Sequence, residues 1–137
     1  MSVAKLTMTS LTTRNKIIYW LSTGFLAFGM LSQGLAQNFH TQGYVDIIVH
    51  LGYPIYFLNI IGVWKILGVI AILSPRFKLL KEWAYAGFFF VMSGALVSHI
   101  ASGDSVIAVA PALVLLSLIV VSWSFRPADR KLISEDQ

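Results

Sequence analysis

The sequence contains no cysteine, and only 12% of its 137 residues are charged. The absence of cysteine excludes thiol–disulfide chemistry, haem–thiolate ligation and zinc–thiolate sites within these residues, and it leaves the redox compartment open. Soluble domains carry about twice that charged fraction. Because 57% of the residues are hydrophobic, a soluble domain of this length would have too little polar surface to cover itself. The solvent for most of the chain is therefore predicted to be lipid.

Several functional motifs are also missing. The sequence has no glycine-rich phosphate loop, no P-loop and no serine-nucleophile elbow. The net charge of +4 could suggest a nucleic-acid ligand, but the basic residues flank apolar runs and form no aromatic-interleaved patch. We therefore expect no nucleic-acid partner, and we assign the basic residues to membrane topology.

Four apolar runs are each long enough to cross a bilayer as a helix. The predicted spans are residues 16–37, 53–73, 82–103 and 105–125, between a loosely ordered N-terminal tail (1–15) and a polar C-terminal tail (126–137). Residues 38–52 carry an apolar stripe at helical spacing, which predicts a short amphipathic helix between the first two spans. A cleavable signal peptide is the rival interpretation of the first run, whose length favours a span.

The distribution of positive charge predicts the topology. Of ten Lys and Arg residues, three lie before or at the first residue of the first span, three lie between the second and third spans, and three follow the fourth. The other two connections contain none, so both termini are predicted to be cytoplasmic. The expected fold is an all-α membrane protein, an antiparallel bundle of four transmembrane helices in one domain.

Lys65 is the tenth positive charge and lies inside the second span. Gly62 and Gly68 flank it at i−3 and i+3, so this face of the helix is predicted to point into the bundle. An ionisable group there costs several kcal/mol unless it is paired or hydrated. It lies about 12 Å from the cytoplasmic end of its helix, near the limit of snorkelling. Glu82, at the start of the third span, is the predicted partner. Such a pair could be a packing device, or Lys65 could donate a hydrogen bond to a carbonyl of a bound quinone or lipid.

A second group of polar residues is predicted at the opposite end of the bundle. It consists of His40, Asp46, His50, Tyr53, His99 and Asp104. His99 could bond an interhelical carbonyl or take part in a proton relay. No H-x-x-x-H or H-E-x-x-H spacing is present, so no metal site is predicted. Gly103 fits the C-terminal cap of the third span, and Asp104 fits the N-cap of the next helix.

The remaining polar and small residues inside the spans suggest helix contacts. Gln33 and Asn59 are expected to bond across helices or to line a ligand cavity. Gly87, Gly94 and Ser98 form a ridge of small residues on the third span, which predicts a helix–helix contact and a homo-oligomer.

The middle third of the chain resembles the DoxX-like family of small four-helix membrane proteins, and the four spans agree with the family's topology. The matching motifs are G-x-W-K at Gly62, Trp64 and Lys65, the Pro75-Arg76-Phe77 turn, Lys81-Glu82-Trp83-Ala84-Tyr85-Ala86-Gly87, Ser98-His99 and Gly103-Asp104.

The resemblance implies a protein of the bacterial inner membrane. The wider DoxX/DoxD group is associated with thiosulfate:quinone oxidoreduction, quinone resistance and membrane complexes that answer oxidative stress. The implied site residues are Lys65, Glu82, Tyr85, His99 and Asp104. Without cysteine or a flavin or haem motif, electron transfer would need a bound quinone or a redox partner subunit, so intrinsic catalysis stays open.

Three functions follow in order of support. The first is a quinone- or isoprenoid-binding subunit of a redox complex, with a cavity between the second and third spans. The second is a non-catalytic structural or interaction protein whose buried polar groups specify packing and oligomerisation. The third is a small carrier, which would require oligomerisation.

Overall fold

The computed structural model describes residues 2–132, apart from the side chain of Thr9, and within this range the chain forms only helices and turns. The elements are α1 (Val3–Asn38), α2 (Gln42–His50), α3 (Tyr56–Leu73), α4 (Lys78–Ala101), α5 (Val106–Ser124) and a 3-10 turn (Ala128–Arg130). The expectation of an all-α protein is confirmed, as is the short helix between the first two long ones.

The four long helices form an antiparallel bundle. α1 packs against α3 and α5, and α4 closes the square against the same two helices. Each long helix runs opposite to both of its neighbours, as short connections require. α2 lies across one mouth of the bundle and contacts α1 and α3. α3, α4 and α5 are each long and apolar enough to cross a membrane, whereas α1 has buried polar side chains, including Thr23 and Gln37, that lower its hydropathy.

The N-terminal segment, expected to be loosely ordered, is helical where the structure describes it. α1 begins at Val3, and Ser2 caps it, because its Oγ accepts the Lys5 backbone N–H at 3.3 Å. The capping serine fixes the start of the helix, which then continues through a threonine- and serine-rich segment well ahead of residue 16. At the other end, Arg130 is buried against the bundle. The remainder of the predicted C-terminal tail, residues 133–137, lies outside the described residues.

The bundle has two polar ends separated by an apolar core. The basic end comprises the α3–α4 turn, the first turn of α4 with Lys81, and the residues after α5 with Arg126. The histidine end comprises the ends of α2 and α4, with His50, His99 and Asp104. Between them lies a buried apolar cluster to which all four long helices contribute: Leu26, Ala27, Met30, Val69, Ile72, Tyr85, Phe88, Met92, Leu115 and Ile119.

Glycines allow α1 and α3 to touch backbone to backbone. A Cβ on Gly62 would lie 2.8 Å from the Gly34 carbonyl oxygen, and a Cβ on Gly34 would lie 2.9 Å from that of Gly62. The face of α3 that carries Gly62 and Lys65 therefore points into the bundle, as its small residues predict. The predicted ridge on α4 behaves differently. Gly87 and Gly94 have open space where a Cβ would stand, so no helix of the described chain packs closely against these two glycines. The homo-oligomer expected from the ridge stays a prediction.

A candidate ligand cavity at the histidine end

A cavity of about 450 Å³ lies inside the half of the bundle nearest the histidine end. Its volume falls in the range of small-molecule sites, roughly 300–1,000 Å³. All five helices contribute to its wall, and α2 covers its mouth. The wall consists of Gln33, Gln37, Tyr44, Ile47, Ile48, Leu51, Tyr53, Phe57, Ile61, Lys65, Phe90, Val91, Met92, Gly94, Ala95, Ser98, His99, Ala108, Pro111 and Ala112. Most of these are apolar, with a few polar groups at the two extremes.

Lys65 lies at the deep extreme and is only 2% exposed. Its Nζ donates to Gln33 Oε1 at 2.9 Å, which joins α3 to α1 as expected for Gln33. Within residues 2–132 the structure gives Lys65 no carboxylate, so the predicted pair with Glu82 is wrong. Cα–Cβ bonds tilt toward the N-terminus of a helix. Lys65 therefore leans toward the histidine end, and Glu82 leans toward the basic end.

Glu82 instead binds residues at the end of α5. One carboxylate oxygen pairs with Arg126 Nη1, and the other accepts from Trp123 Nε1 at 3.0 Å. The Arg126 guanidinium also stands 4.8 Å from the centre of the Trp123 ring. Burial lowers the pKa of Arg126, but an arginine stays charged. Glu82 is therefore the counter-charge of a buried cation.

Tyr85 belongs to a hydrogen-bonded chain in the basic half of the bundle. Its hydroxyl bonds Ser122 Oγ at 2.7 Å, and Ser122 bonds Thr23 Oγ1 at 2.6 Å. Tyr85 and Glu82 also line a separate, mostly apolar groove of about 390 Å³ between α4 and α5. The structure thus places these two predicted site residues away from the cavity.

The cap of α4 explains how Asp104 meets His99. Gly103 has φ +72°, and its N–H bonds the Ile100 carbonyl at 3.0 Å, while the Asp104 N–H bonds the His99 carbonyl at 3.0 Å. This is a Schellman motif, which folds the chain back over the last turn. Asp104 is therefore not the predicted N-cap; Ser105 occupies that position before α5. Gly103 is at the cap where the sequence predicts it.

The Asp104 carboxylate joins two histidines. One oxygen lies 2.6 Å from His99 Nδ1, and the other lies 2.7 Å from His50 Nε2. His99 also lines the cavity, whereas His50 is exposed at the surface. The contact between His99 and Asp104 lowers the pKa of the carboxyl below its usual value, and the contact with His50 adds to the effect.

Of the other predicted residues, His40, Asp46 and Asn59 lie outside the cavity, whereas Tyr53 lines it. His40 is a non-glycine cap residue of α1 with φ +52°, and its Nε2 lies 2.6 Å from Asn59 Oδ1. Asp46 accepts from Gln42 Nε2 at 2.7 Å on the exposed side of α2. At the rim, the Tyr53 hydroxyl lies 2.9 Å from Ser98 Oγ. Among the described residues, no group of three or more histidine, cysteine or acidic side chains could hold a metal ion.

The lowered pKa of Asp104 predicts how stability depends on pH. A carboxyl whose pKa is depressed on folding stabilises the protein above its unfolded pKa, and the contribution disappears as pH falls through the folded pKa. We expect the wild type to lose stability as pH falls below about 4, and Asp104→Asn to be less stable at pH 7 with a flatter profile there. Thermal unfolding between pH 2.5 and 7 measures this, with Asp46→Asn as the control. Parallel profiles for wild type and Asp104→Asn would contradict it.

Gln37 is the cavity residue that the sequence reasoning missed. It lies one helical turn beyond Gln33 on α1 and is 5% exposed. Its side-chain oxygen has no hydrogen-bond partner among residues 2–132. The i, i+4 spacing of two glutamines in an apolar run was the available signal, because such residues share one face of a helix.

An apolar layer closes the cavity on the side of the basic end. Along α1, Met30 and Leu26 separate Gln33 from Thr23, and along α4, Phe88 separates Met92 from Tyr85. On α3 and α5 as well, buried aliphatic residues lie between the cavity wall and the basic end: Val69 and Ile72 on α3, and Leu115 and Ile119 on α5. The cavity is therefore connected to the histidine end and not, through described polar groups, to the basic end.

Comparison with known proteins adds one positive finding. A family model described as the DoxX-like family matches residues 21–122. The match runs from the first third of the chain, through α2, α3 and α4, nearly to the end of α5. No curated protein and no solved structure matches the chain.

Proposed function

The chain belongs to the DoxX-like family, and from that membership and the cavity we propose that it is a membrane subunit that binds a quinone or another isoprenoid lipid. The observation that carries the proposal is Lys65: a buried cation without a described carboxylate, at the deep end of an apolar cavity. A carbonyl oxygen of a ligand would accept a hydrogen bond from one of the two N–H groups of Lys65 that do not bond Gln33.

The membrane setting of the proposal rests on the outer surface of the bundle. α3, α4 and α5 are apolar enough to span a bilayer. α1 is the proposed fourth span, since Leu21, Phe25 and Phe28 expose a continuous apolar face. Lys and Arg residues cluster at the basic end, which supports a cytoplasmic position for both termini in a bacterial inner membrane. The cavity would then open toward the outer surface.

His99 gives the proposed ligand a proton partner. Its Nδ1 bonds Asp104, and when that nitrogen carries the proton, Nε2 is an acceptor. Asp104 in turn bonds the exposed His50. These groups could exchange a ligand proton with the outer surface. The chain has no cysteine, so the two electrons that reduce a bound quinone to its quinol, with uptake of two protons, would come from a partner subunit of the proposed membrane redox or oxidative-stress complex.

Replacing Lys65 tests the proposal. We expect purified wild type to bind a short-chain 1,4-benzoquinone, and Lys65→Met to bind it at least tenfold more weakly, because a hydrogen bond to a charged group contributes about 1.5–3 kcal/mol. Isothermal titration in detergent measures the affinity. Lys78→Met, at the basic end, is the matched control and should bind as wild type does. No binding by wild type, or equal binding by Lys65→Met, would contradict the proposal.

A second candidate function is a non-catalytic interaction protein. It is favoured by Gly87, which leaves open space on the exposed side of α4, where a helix of another copy could approach closely. In that case Lys65→Met would alter stability and no ligand would bind. A carrier is supported least, because the apolar layer separates the cavity from the basic end.

A further inference from the structure

The polar groups at the deep end of the cavity offer a ligand N–H donors. Lys65 has three N–H bonds, and the structure uses one of them, for Gln33 Oε1. The Gln37 side-chain oxygen has almost no accessible surface, so the atom that this amide presents to a ligand is its nitrogen. Within residues 2–132, neither the Gln33 nor the Gln37 amide nitrogen donates a hydrogen bond. The deep end is therefore a set of donors without an acceptor.

These donors lie close enough together to bind one head group. Gln33 and Gln37 are four residues apart on α1, which is one helical turn and about 6 Å along the axis, so both lie on the same face of the helix. Lys65 reaches this face from α3 through its bond to Gln33. All three residues line the cavity.

The positive charge of Lys65 lacks a counter-charge among the described residues. The side chain is 2% exposed, and its partner Gln33 is a neutral amide. The Asp104 carboxylate, at the histidine end, bonds His99 and His50 instead. A buried charge without a partner is strongly destabilising, and an apolar wall strengthens the attraction of a buried cation for an anion. A ligand that carries a negative charge would therefore be stabilised at Lys65.

A carboxylate matches this donor set better than other head groups do. It brings one negative charge and two acceptor oxygens, so one oxygen can accept from Lys65 and the other from Gln37. A neutral carbonyl accepts from Lys65 but leaves its charge unbalanced. An ammonium head group would bring a second positive charge and further donors.

The rest of the cavity suits an aliphatic chain. Ile48, Phe57, Ile61 and Met92 belong to its wall. Lys65 and Phe57 are eight residues apart on α3, a distance of about 12 Å along the helix axis. This distance is close to the extended length of a medium-chain acyl tail.

We propose that the cavity binds an amphiphile with a carboxylate head group, such as a medium-chain fatty acid. The carboxylate lies between Lys65 and Gln37, and the acyl chain follows the apolar wall toward the histidine end. The inference goes beyond the proposed function, because it requires neither a quinone ring nor a redox partner. Since both ligands would use Lys65, a bound carboxylate would exclude a quinone.

Three probes with similar alkyl chains test the inference. Decanoate is the carboxylate, methyl decanoate keeps the carbonyl and removes the charge, and decyltrimethylammonium reverses the charge. Isothermal titration of the full chain in a neutral maltoside detergent at pH 7, where a carboxylic acid is ionised, measures the affinities. We expect decanoate to bind at least tenfold more tightly than its ester, as a hydrogen bond to a charged group provides. Decyltrimethylammonium should not bind and controls for uptake by the micelle.

Two variants supply the protein side of the test. Lys65→Met should reduce the preference for decanoate over its ester to about one. Without ligand, this variant should unfold at a higher temperature than wild type, because the buried unpaired charge is gone. Decanoate should raise the unfolding temperature of wild type and leave that of Lys65→Met unchanged. Gln37→Met removes one donor and should weaken decanoate about fivefold. Gln42→Met, on the exposed side of α2, is the matched control and should bind as wild type does.

The outcomes separate this inference from the proposed function. Binding of decanoate without binding of a short-chain 1,4-benzoquinone would support the carboxylate site and contradict a quinone ligand. Binding of the benzoquinone without decanoate would overturn the inference and leave the proposed function standing. If both bind, displacement of one by the other would support a shared site at Lys65, and independent binding would overturn it. Equal affinity for decanoate and its ester, or an unchanged preference in Lys65→Met, would also overturn the inference.

Discussion

Gly62→Val is expected to destabilise the bundle more than any other single change to a small residue. A Cβ at this position would meet the Gly34 carbonyl oxygen at 2.8 Å and the side chain of Asn38. A backbone carbonyl inside a helix cannot turn away, so α1 and α3 would have to separate. Overpacking of this kind costs about 3 kcal/mol, at the upper end of the usual range.

The separation of α1 and α3 should also disturb the cavity. Gly34 and Lys65 lie side by side at the contact, because a Cβ on Gly34 would stand 3.3 Å from Lys65 Cβ. Moving α1 outward would lengthen the 2.9 Å bond between Lys65 and Gln33. We therefore expect Gly62→Val to lose ligand affinity together with stability. Thermal unfolding in detergent, followed by circular dichroism, measures the loss of stability. Titration of the folded variant with ligand measures the loss of affinity.

Gly87→Val is the matched control for size. Nothing lies within 4 Å of a Cβ at Gly87, so the unfolding of a single chain should change little. A change of oligomeric state in Gly87→Val, without loss of stability, would support the second candidate function. If Gly62→Val unfolded at the wild-type temperature, the close approach of α1 and α3 would be contradicted.

The sequence was sufficient to predict the antiparallel helical architecture and the inward face of α3. Charge clusters at alternate connections, together with Gly62 and Gly68 flanking Lys65, carried those predictions. The start of α1 could have been found as well, because Ser2 before Val3 and Ala4 is an N-cap signal. What favoured a tail was the threonine- and serine-rich composition, and propensity is a weak guide when a long helix can propagate into such a segment.

The predicted partner of Lys65 failed for a geometric reason. Counting acidic residues pointed to Glu82, but charge alone ignores the tilt of side chains toward the helix N-terminus. That tilt sends Lys65 to Gln33 and Glu82 to Arg126. The Asp104 site was harder to predict, because the two contacts with histidine depend on caps of α2 and α4 that lie far apart in the chain.

The pair of Glu82 and Arg126 carries the second large prediction. We expect Glu82→Gln to cost about 2 kcal/mol, less than the 3–5 kcal/mol of a fully buried pair, because Glu82 keeps a quarter of its side-chain surface exposed. Arg126→Met should cost less than Glu82→Gln, because the remaining Glu82 can still be hydrated and accept from Trp123. The two costs differ because the Arg126 side chain, at 8% exposed, is more deeply buried than that of Glu82, at 25%.

The double variant shows whether the attraction between Glu82 and Arg126 exceeds the cost of burying the two charges or only offsets it. Removing both charges leaves neither group buried and unpaired. The free energy of unfolding of the double variant, Glu82→Gln with Arg126→Met, should therefore be within about 1 kcal/mol of the wild-type value. Chemical unfolding of the four proteins in one detergent gives the coupling energy, and Asp46→Asn controls for loss of an exposed carboxylate. Additive losses in the double variant would contradict this interpretation. They would mean that the two side chains stabilise the basic end through separate contacts, Glu82 with Trp123 and Arg126 with the Tyr85 and Trp123 rings.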